Sequence, residues 1–312
     1  MDFILIIIGF AILIIGAHFL VDGASGLAKR FNVPNIIIGL TVVAFGTSAP
    51  ELVVNLVAAF DPGSTDIALT NIIGSNTINT YIILGVAALI FPITSLRSSR
   101  RFSIPLSVFA PLIVLLMSVG DNIVSRADGF ILLIFFVWFM IVMVRNTLSH
   151  PKKSDEEDYK PVKIWLASIM IIGGLGALVG GAQLIVPSAT RIAVSLGISQ
   201  AVIGLTIVAL GTSLPELATS VVAAFKKNSD IALGNVIGSN IFNVFFVLGL
   251  SATIQPLPAY KGMVIDLIIA ILASLLVLIF VYTNKQHKIK RWQGGLLVAI
   301  YTAYLVWMIS GL

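Results

Sequence analysis

An all-α polytopic membrane protein, with ten transmembrane helices in two inverted five-helix repeats, is the fold class this sequence predicts. Three observations predict it: apolar stretches of membrane-spanning length, a one-sided distribution of basic residues, and a block of motifs that occurs twice. Of the 312 residues, 58% are hydrophobic and 11% charged, and the mean hydropathy is +1.06. A soluble domain carries about 25% charged residues, so this composition belongs to a bilayer. The net charge of +5 does not point to nucleic acid, because the basic residues are dispersed among short loops and form no aromatic-interleaved face. With no cysteine, disulfides, Cys-based zinc sites and thiol catalysis are excluded. The chain opens Met1-Asp2 without a positive leader or a small-residue cleavage site, so its first apolar segment reads as a retained span.

Hydropathy interrupted by Pro, Gly and charge places the spans in order. They run from Phe3 to Val21, Asn35 to Phe60, Ile67 to Ile90, Ile104 to Val119 and Gly129 to Val144. The second five run from Val162 to Val186, Gln200 to Phe225, Ile231 to Ile254, Val264 to Tyr282 and Trp292 to Ile309. This divides the chain into a first repeat at 1–148, a hydrophilic linker at 149–161 and a second repeat at 162–312. The linker's Lys152, Lys153, Asp155, Glu156, Glu157, Asp158 and Lys160 between Pro151 and Pro161 make a solvated connector too short to fold alone.

Sidedness follows from the basic residues. Lys29 and Arg30; Arg97, Arg100 and Arg101; Arg145, Lys152, Lys153, Lys160 and Lys163; Lys226 and Lys227; and Lys285, Lys288, Lys290 and Arg291 all fall on one side. They are 16 of the 19, against Arg126, Arg191 and Lys261 on the other. The bias places the linker in the cytoplasm and both termini outside a multi-pass cell membrane protein.

The repeat is the strongest organising signal. Gly46-Thr47-Ser48-Ala49-Pro50-Glu51 recurs as Gly211-Thr212-Ser213-Leu214-Pro215-Glu216, an offset of 165 that also relates Gly39-Leu40-Thr41 to Gly204-Leu205-Thr206. Gly74-Ser75-Asn76 and Asn79 recur as Gly238-Ser239-Asn240 and Asn243, offset by 164. The repeated motifs lie within segments of about 39–85 and 204–249. Five spans per half make the second half enter from the opposite side, and such duplications build transporters with a central site between broken helices.

An ionisable residue at mid-membrane costs about 2.5–3.5 kcal/mol on insertion scales, so Glu51 and Glu216 ask for a compensating partner, and the obvious one is a cation. Pro50 and Pro215 lack an N–H and disfavour helix in the residue before them, so each helix should loosen there and leave nearby carbonyls unpaired. Thr47 and Glu51 share a helix face with Ser48 beside them, and Thr212, Ser213 and Glu216 repeat the arrangement. Ser75 with Asn79, and Ser239 with Asn243, add hydroxyl and amide oxygens four residues apart. Every group is a hard oxygen, and calcium takes six to eight of these with flexible geometry. Two carboxylates balance one divalent cation; three monovalent cations in the same pocket would leave it one charge more positive, so exchanging the two would move charge.

The blocks Gly-Thr-Ser-x-Pro-Glu and Gly-Ser-Asn-x-x-Asn, each present twice on adjacent helices, resemble the two alpha repeats of the calcium/cation antiporter superfamily, and within it the prokaryotic type of sodium/calcium exchanger. The resemblance covers essentially the whole chain. It implies a secondary active antiporter, not an enzyme, that exchanges sodium for calcium by alternating access at one midplane site. It implies Ca2+ and Na+ as transported ions and no cofactor. It also implies a core of the second, third, seventh and eighth helices, with long tilted first and sixth helices sliding across it. Carried over by residue, Glu51 and Glu216 match the calcium-binding acids, with Thr47 and Thr212 giving backbone oxygens. Ser48, Ser213, Ser75, Ser239 and the carbonyls of Ala44 and Ala209 match sodium ligands. Asn79 and Asn243 match positions that hold Asn or Asp. Potassium-dependent exchangers resemble the acidic version at position 243, so the amide favours potassium independence. A proton- or potassium-coupled antiporter of calcium or another divalent cation is the alternative. Proton/calcium relatives carry Gly-Asn-x-x-Glu where this chain has Gly-Thr-Ser-x-Pro-Glu.

Other features read more plainly. His18, with no mate in the second half, reads as a packing residue rather than a proton relay. Asp22 and Asp66 sit near membrane boundaries, and Asp266 near the start of the ninth span reads as facing an aqueous or interhelical environment. Trp138, Trp165, Trp292 and Trp307 divide between interfaces and lipid faces. Gly173-Gly174 and Gly180-Gly181 allow close helix approach. An intramembrane hydrolase could use paired carboxylates, but these are embedded among Thr, Ser and Asn with no histidine or metal-ligand cluster. A passive channel could use the same oxygens, yet broken helices in an inverted duplication suit alternating access better. Membrane lipid is the one partner beyond the ions that the sequence implies, and no obligate protein partner is evident.

Overall fold

The structure, a computed structural model, describes residues 1–60, 65–149, 162–197 and 209–310, without the side chains of residues 65, 66, 146–149 and 209. The linker beyond residue 149, Gly204, Leu205, Thr206 and the side chain of Asp66 lie outside the described residues. The protein is a polytopic helical bundle. Among the described residues eight helices are long and apolar enough to cross a membrane, and a bent pair makes nine.

Two very long helices form one flank: α1 (Asp2–Phe31) with 30 residues and α7 (Ile164–Ser195) with 32. At 1.5 Å per residue they span about 45 and 48 Å, well beyond a hydrocarbon layer of about 30 Å. Charge marked the end of the first span at Val21, but α1 continues ten residues further. Asp22 is paired with Lys226 there, so the charge that suggested a boundary is compensated. The helix stops instead at Asn32, whose left-handed backbone (φ 54°) turns its N–H back onto the last-turn carbonyls. Lys29 and Arg30 sit in that last turn, where the helix dipole favours cations.

The crossing of α1 and α7 is set by glycine. A Cβ on Gly16 would stand 2.8 Å from the Gly174 carbonyl, and one on Gly181 2.8 Å from that of Gly9. Backbones this close are a membrane packing device, since lipid gives helices no hydrophobic reason to associate. Gly174 and Gly181 thus act as expected, whereas a Cβ on Gly173 or Gly180 would meet no described atom within 4 Å. Arg191 on α7 holds Asp2 on α1 at 2.8 Å through Nε. His18 is exposed on α1, so it is not the packing residue expected of it. The four tryptophans are likewise all exposed.

The second span is broken. α2 (Asn35–Thr47) and α3 (Ala49–Phe60) meet at 46°, with Ser48 at the break in a non-helical conformation (φ −82°, ψ 9°). Pro50 accounts for the position. The same break recurs between α8 (Ala209–Thr212) and α9 (Leu214–Phe225), where Ser213 has φ −88° and ψ 6°. The start of that expected span, at Gln200, lies outside the described residues.

Packed against both breaks are the two central helices, α4 (Ile67–Ile90) and α10 (Ser229–Ile254), the most buried of the candidate spans. Each widens into a π-turn near its middle, over Asn79–Ile83 and Asn243–Leu248. Around them stand α5 (Ser99–Ser118), α6 (Arg126–Ser149), α11 (Met263–Thr283) and α12 (Arg291–Ser310).

Two short antiparallel ladders tie the loops: β1 (Ile93–Thr94) with β4 (Lys288–Ile289), and β2 (Ile123–Val124) with β3 (Leu257–Pro258). Ile93 faces Ile289 and Val124 faces Leu257. The sequence offsets of 164 and 165 carry the first pair onto the second. The same arithmetic relates two glycine crossings, Gly85 against Gly294 and Gly249 against Gly129. Near the second ladder, Asp266 accepts 2.6 Å hydrogen bonds from Tyr260 and Tyr304, the interhelical setting expected for it. Burial, reinforced by that carboxylate, pushes the Tyr260 phenol far above its usual pKa.

Candidate functional site

The two breaks bring the repeated motifs face to face. Glu51 and Glu216 each fall in the first turn after a break and are wholly buried. Each is held by a serine from the other half: Ser48 Oγ donates to Glu216 Oε1 at 2.9 Å, and Ser213 Oγ to Glu51 Oε1 at 3.4 Å. Ser239 on α10 also donates to Glu216 Oε1, at 3.4 Å. The breaks therefore lock each carboxylate to the opposite repeat while leaving its second oxygen, Oε2, without a partner.

From the central helices come Asn79 and Asn243, both fully buried and each the first residue of its π-turn. Asn79 Nδ2 donates to Asn240 Oδ1 at 3.2 Å and Asn243 Nδ2 to Asn76 Oδ1 at 3.1 Å. Their own Oδ1 atoms have no partner, and the same holds for the hydroxyls of Ser75 and Thr212. Eight buried side-chain polar atoms are unpaired among the described residues, and six belong to residues that the sequence singles out; the other two are on Ser99 and Thr219. Leaving a buried polar atom unpaired costs about 1–3 kcal/mol, so six such atoms on the repeated motifs call for an explanation, and a ligand would supply one.

The remaining expected residues behave differently. Thr47 Oγ1 lies 3.0 Å from Asn235 Oδ1 and 3.3 Å from the Ala44 carbonyl. That carbonyl, which the resemblance matches to a sodium ligand, also accepts the Ser48 N–H at 3.0 Å. Ala209 opens α8 at the edge of the described residues, and its expected role lies outside them.

Sequence reasoning missed the scaffold behind the site. Asn235 Nδ2 donates to the Glu216 carbonyl at 3.2 Å and to Ser220 Oγ at 3.0 Å. Asn71 Nδ2 donates to Asn55 Oδ1 at 2.7 Å and reaches the Glu51 carbonyl at 3.5 Å. These amides fasten the start of each post-break helix to a central helix. The signal was present, since Asn71 and Asn235 recur at the same offset of 164 as the motif itself.

Chemically, the site offers two carboxylates, two amide oxygens and a set of hydroxyls. No cluster of three or more His, Cys, Asp or Glu side chains occurs among the described residues. Such a donor set fits hard cations. A cavity of about 780 Å3 lies beside the site, walled by Phe45, Gly46, Phe139 and Leu175; its lining is almost entirely apolar and includes none of the unpaired oxygens.

Comparisons with known proteins agree along nearly the full length. The family model described as "Sodium/calcium exchanger protein" matches residues 1–145 and 166–310. The protein CaxA of Alkalimonas amylolytica is 36% identical over 311 residues, covering 96% of each chain. The sodium/calcium exchanger MaX1 of Methanosarcina acetivorans is 31% identical, covering 98% of this chain and 97% of its own. The solved structure of the sodium-calcium exchanger NCX_Mj soaked with zero Na+ and Ca2+ superposes with a TM-score of 0.84 at 33% identity, covering 98% of both chains.

Proposed function

The chain belongs to the sodium/calcium exchanger protein family, and from that premise we propose that it exchanges sodium for calcium across the cell membrane at one site between its two halves. The observation that supports this reading is that both repeats bury unpaired oxygens, on Glu51, Ser75 and Asn79 in one and Glu216, Thr212 and Asn243 in the other, while a serine of each holds the glutamate of the other. With both carboxylates ionised, one calcium neutralises the site, and sodium ions compete for the same oxygens.

On this reading the chain has ten helices in two halves of opposite orientation, 1–148 and 162–312, joined by a cytoplasmic linker at 149–161, with both termini outside. The exchange of strand and glycine pairs at offsets of 164 and 165 supports that symmetry. In Proposed alternating access, α1 and α7 move as one tilted unit, consistent with their glycine-lined contact and the Arg191–Asp2 pair. The serine of each half that holds the other half's glutamate transmits that movement to the ligands. Ser48, Ser213, Ser239, Thr47 and the carbonyls of Ala44 and Ala209 complete the ligand set, with no cofactor.

Calcium flux into proteoliposomes under imposed sodium, potassium or proton gradients tests the assignment. A sodium gradient is expected to drive calcium movement with accompanying charge. Calcium movement driven by a proton gradient alone, with sodium inert, would replace it by the proton-coupled alternative.

A further inference from the structure

Both site amides could present either an oxygen or an NH2 group to an ion, and only the oxygen binds a cation. We propose that two hydrogen-bond relays, running through Asn76 and through Thr80–Asn240, fix Asn243 and Asn79 with their oxygens toward the ion. Asn76, Thr80 and Asn240 are positioning residues in this scheme. The effect on ions rests on the exchange reading; the orientation of the amides does not.

Each relay starts on a backbone carbonyl, which can only accept. In the first, the Asn240 carbonyl receives Asn76 Nδ2 at 3.0 Å. The nitrogen of Asn76 is thereby fixed, so its Oδ1 must be the atom facing Asn243, and it accepts Asn243 Nδ2 at 3.1 Å. Asn243 is left with its oxygen on the free side, where it has no protein partner. In the second, the Asn76 carbonyl receives the Thr80 hydroxyl proton at 3.0 Å. The Thr80 oxygen then has only lone pairs to offer, and it accepts Asn240 Nδ2 at 2.7 Å. Asn240 Oδ1 therefore faces Asn79 and accepts its Nδ2 at 3.2 Å, leaving the Asn79 oxygen free. All five residues are buried, with exposures of 5% or less.

The relays are not equivalent. The offset of 164 carries Asn76 onto Asn240 and Asn79 onto Asn243, but it carries Thr80 onto Val244, which has no hydroxyl. Asn79 therefore depends on a hydroxyl that Asn243 does without. Each relay also crosses between α4 and α10, so the polarity of an amide in one repeat is set by the other.

The test uses purified full-length protein, with Ca2+ binding and the side-chain amide NMR signals of 15N-asparagine-labelled protein as readouts. Thr80→Val, which preserves shape but removes the hydroxyl, is expected to shift and deprotect the Asn79 amide, to leave that of Asn243 in place, and to weaken calcium binding roughly 10- to 100-fold, the scale for removing a group that orients a metal ligand. Thr80→Ser is expected to restore both readouts. Asn76→Leu is expected to act on Asn243 and spare Asn79. An unchanged Asn79 signal in Thr80→Val, or signals that move together in both variants, overturns the relay. A wild type that binds no calcium while the amide pattern follows these expectations would remove the exchange reading and leave the relay standing.

Discussion

Glu51→Gln and Glu216→Gln are each expected to reduce sodium-driven calcium transport by roughly 100-fold or more, because breaking a buried charge pair by removing one partner costs about 3–5 kcal/mol. The substitution is close to isosteric, and it retains an oxygen for the serine that holds each side chain, Ser213 for Glu51 and Ser48 for Glu216. Folding should therefore survive, and removal of a buried charge should not lower the melting temperature of ion-free protein. Flux in proteoliposomes, with melting as the check on folding, decides the matter. Full transport by either variant removes that carboxylate from the site.

The second large effect is steric. Gly238 sits where α10 crosses α2, and a Cβ there would lie 2.7 Å from Ala44 Cβ and 2.8 Å from both the Cα and the carbonyl oxygen of Leu40. Two of these three obstacles are backbone, so no rotamer change relieves them and α2 must move. Overpacking of this kind costs about 1–3 kcal/mol. The displaced helix also carries Thr47 and Ser48, one of which holds Glu216. Gly238→Ala is thus expected to lower stability and to weaken calcium binding by about tenfold or more, on the scale of a lost supporting contact to a metal ligand. Gly295→Ala, whose Cβ would meet only Leu89 Cδ2 at 3.6 Å, is expected to behave as wild type in both assays. Equal behaviour of the two variants would mean that the α2–α10 contact does not set the site.

Much of this was legible in the chain. The breaks at Ser48 and Ser213 follow from Pro50 and Pro215, and the third span ends where hydropathy places it, at Ile90. The convergence of Glu51 and Glu216 was implied by their recurrence. What stayed hidden depends on distant partners or on helix detail. Asp22 looked like the end of a span because its partner, Lys226, is 204 residues away. The π-turns at Asn79 and Asn243 have no composition signal, since the residues in them are ordinary helix or strand formers. The polarity of the amides follows from which atom meets a backbone carbonyl, and a sequence does not contain that.

Equilibrium binding of radioactive calcium to the purified protein at increasing sodium concentration tests the central claim most directly. A single shared site predicts one calcium per chain, displaced by sodium and lost in both Glu51→Gln and Glu216→Gln. Calcium binding that persists unchanged at saturating sodium, or that survives both substitutions, would contradict it.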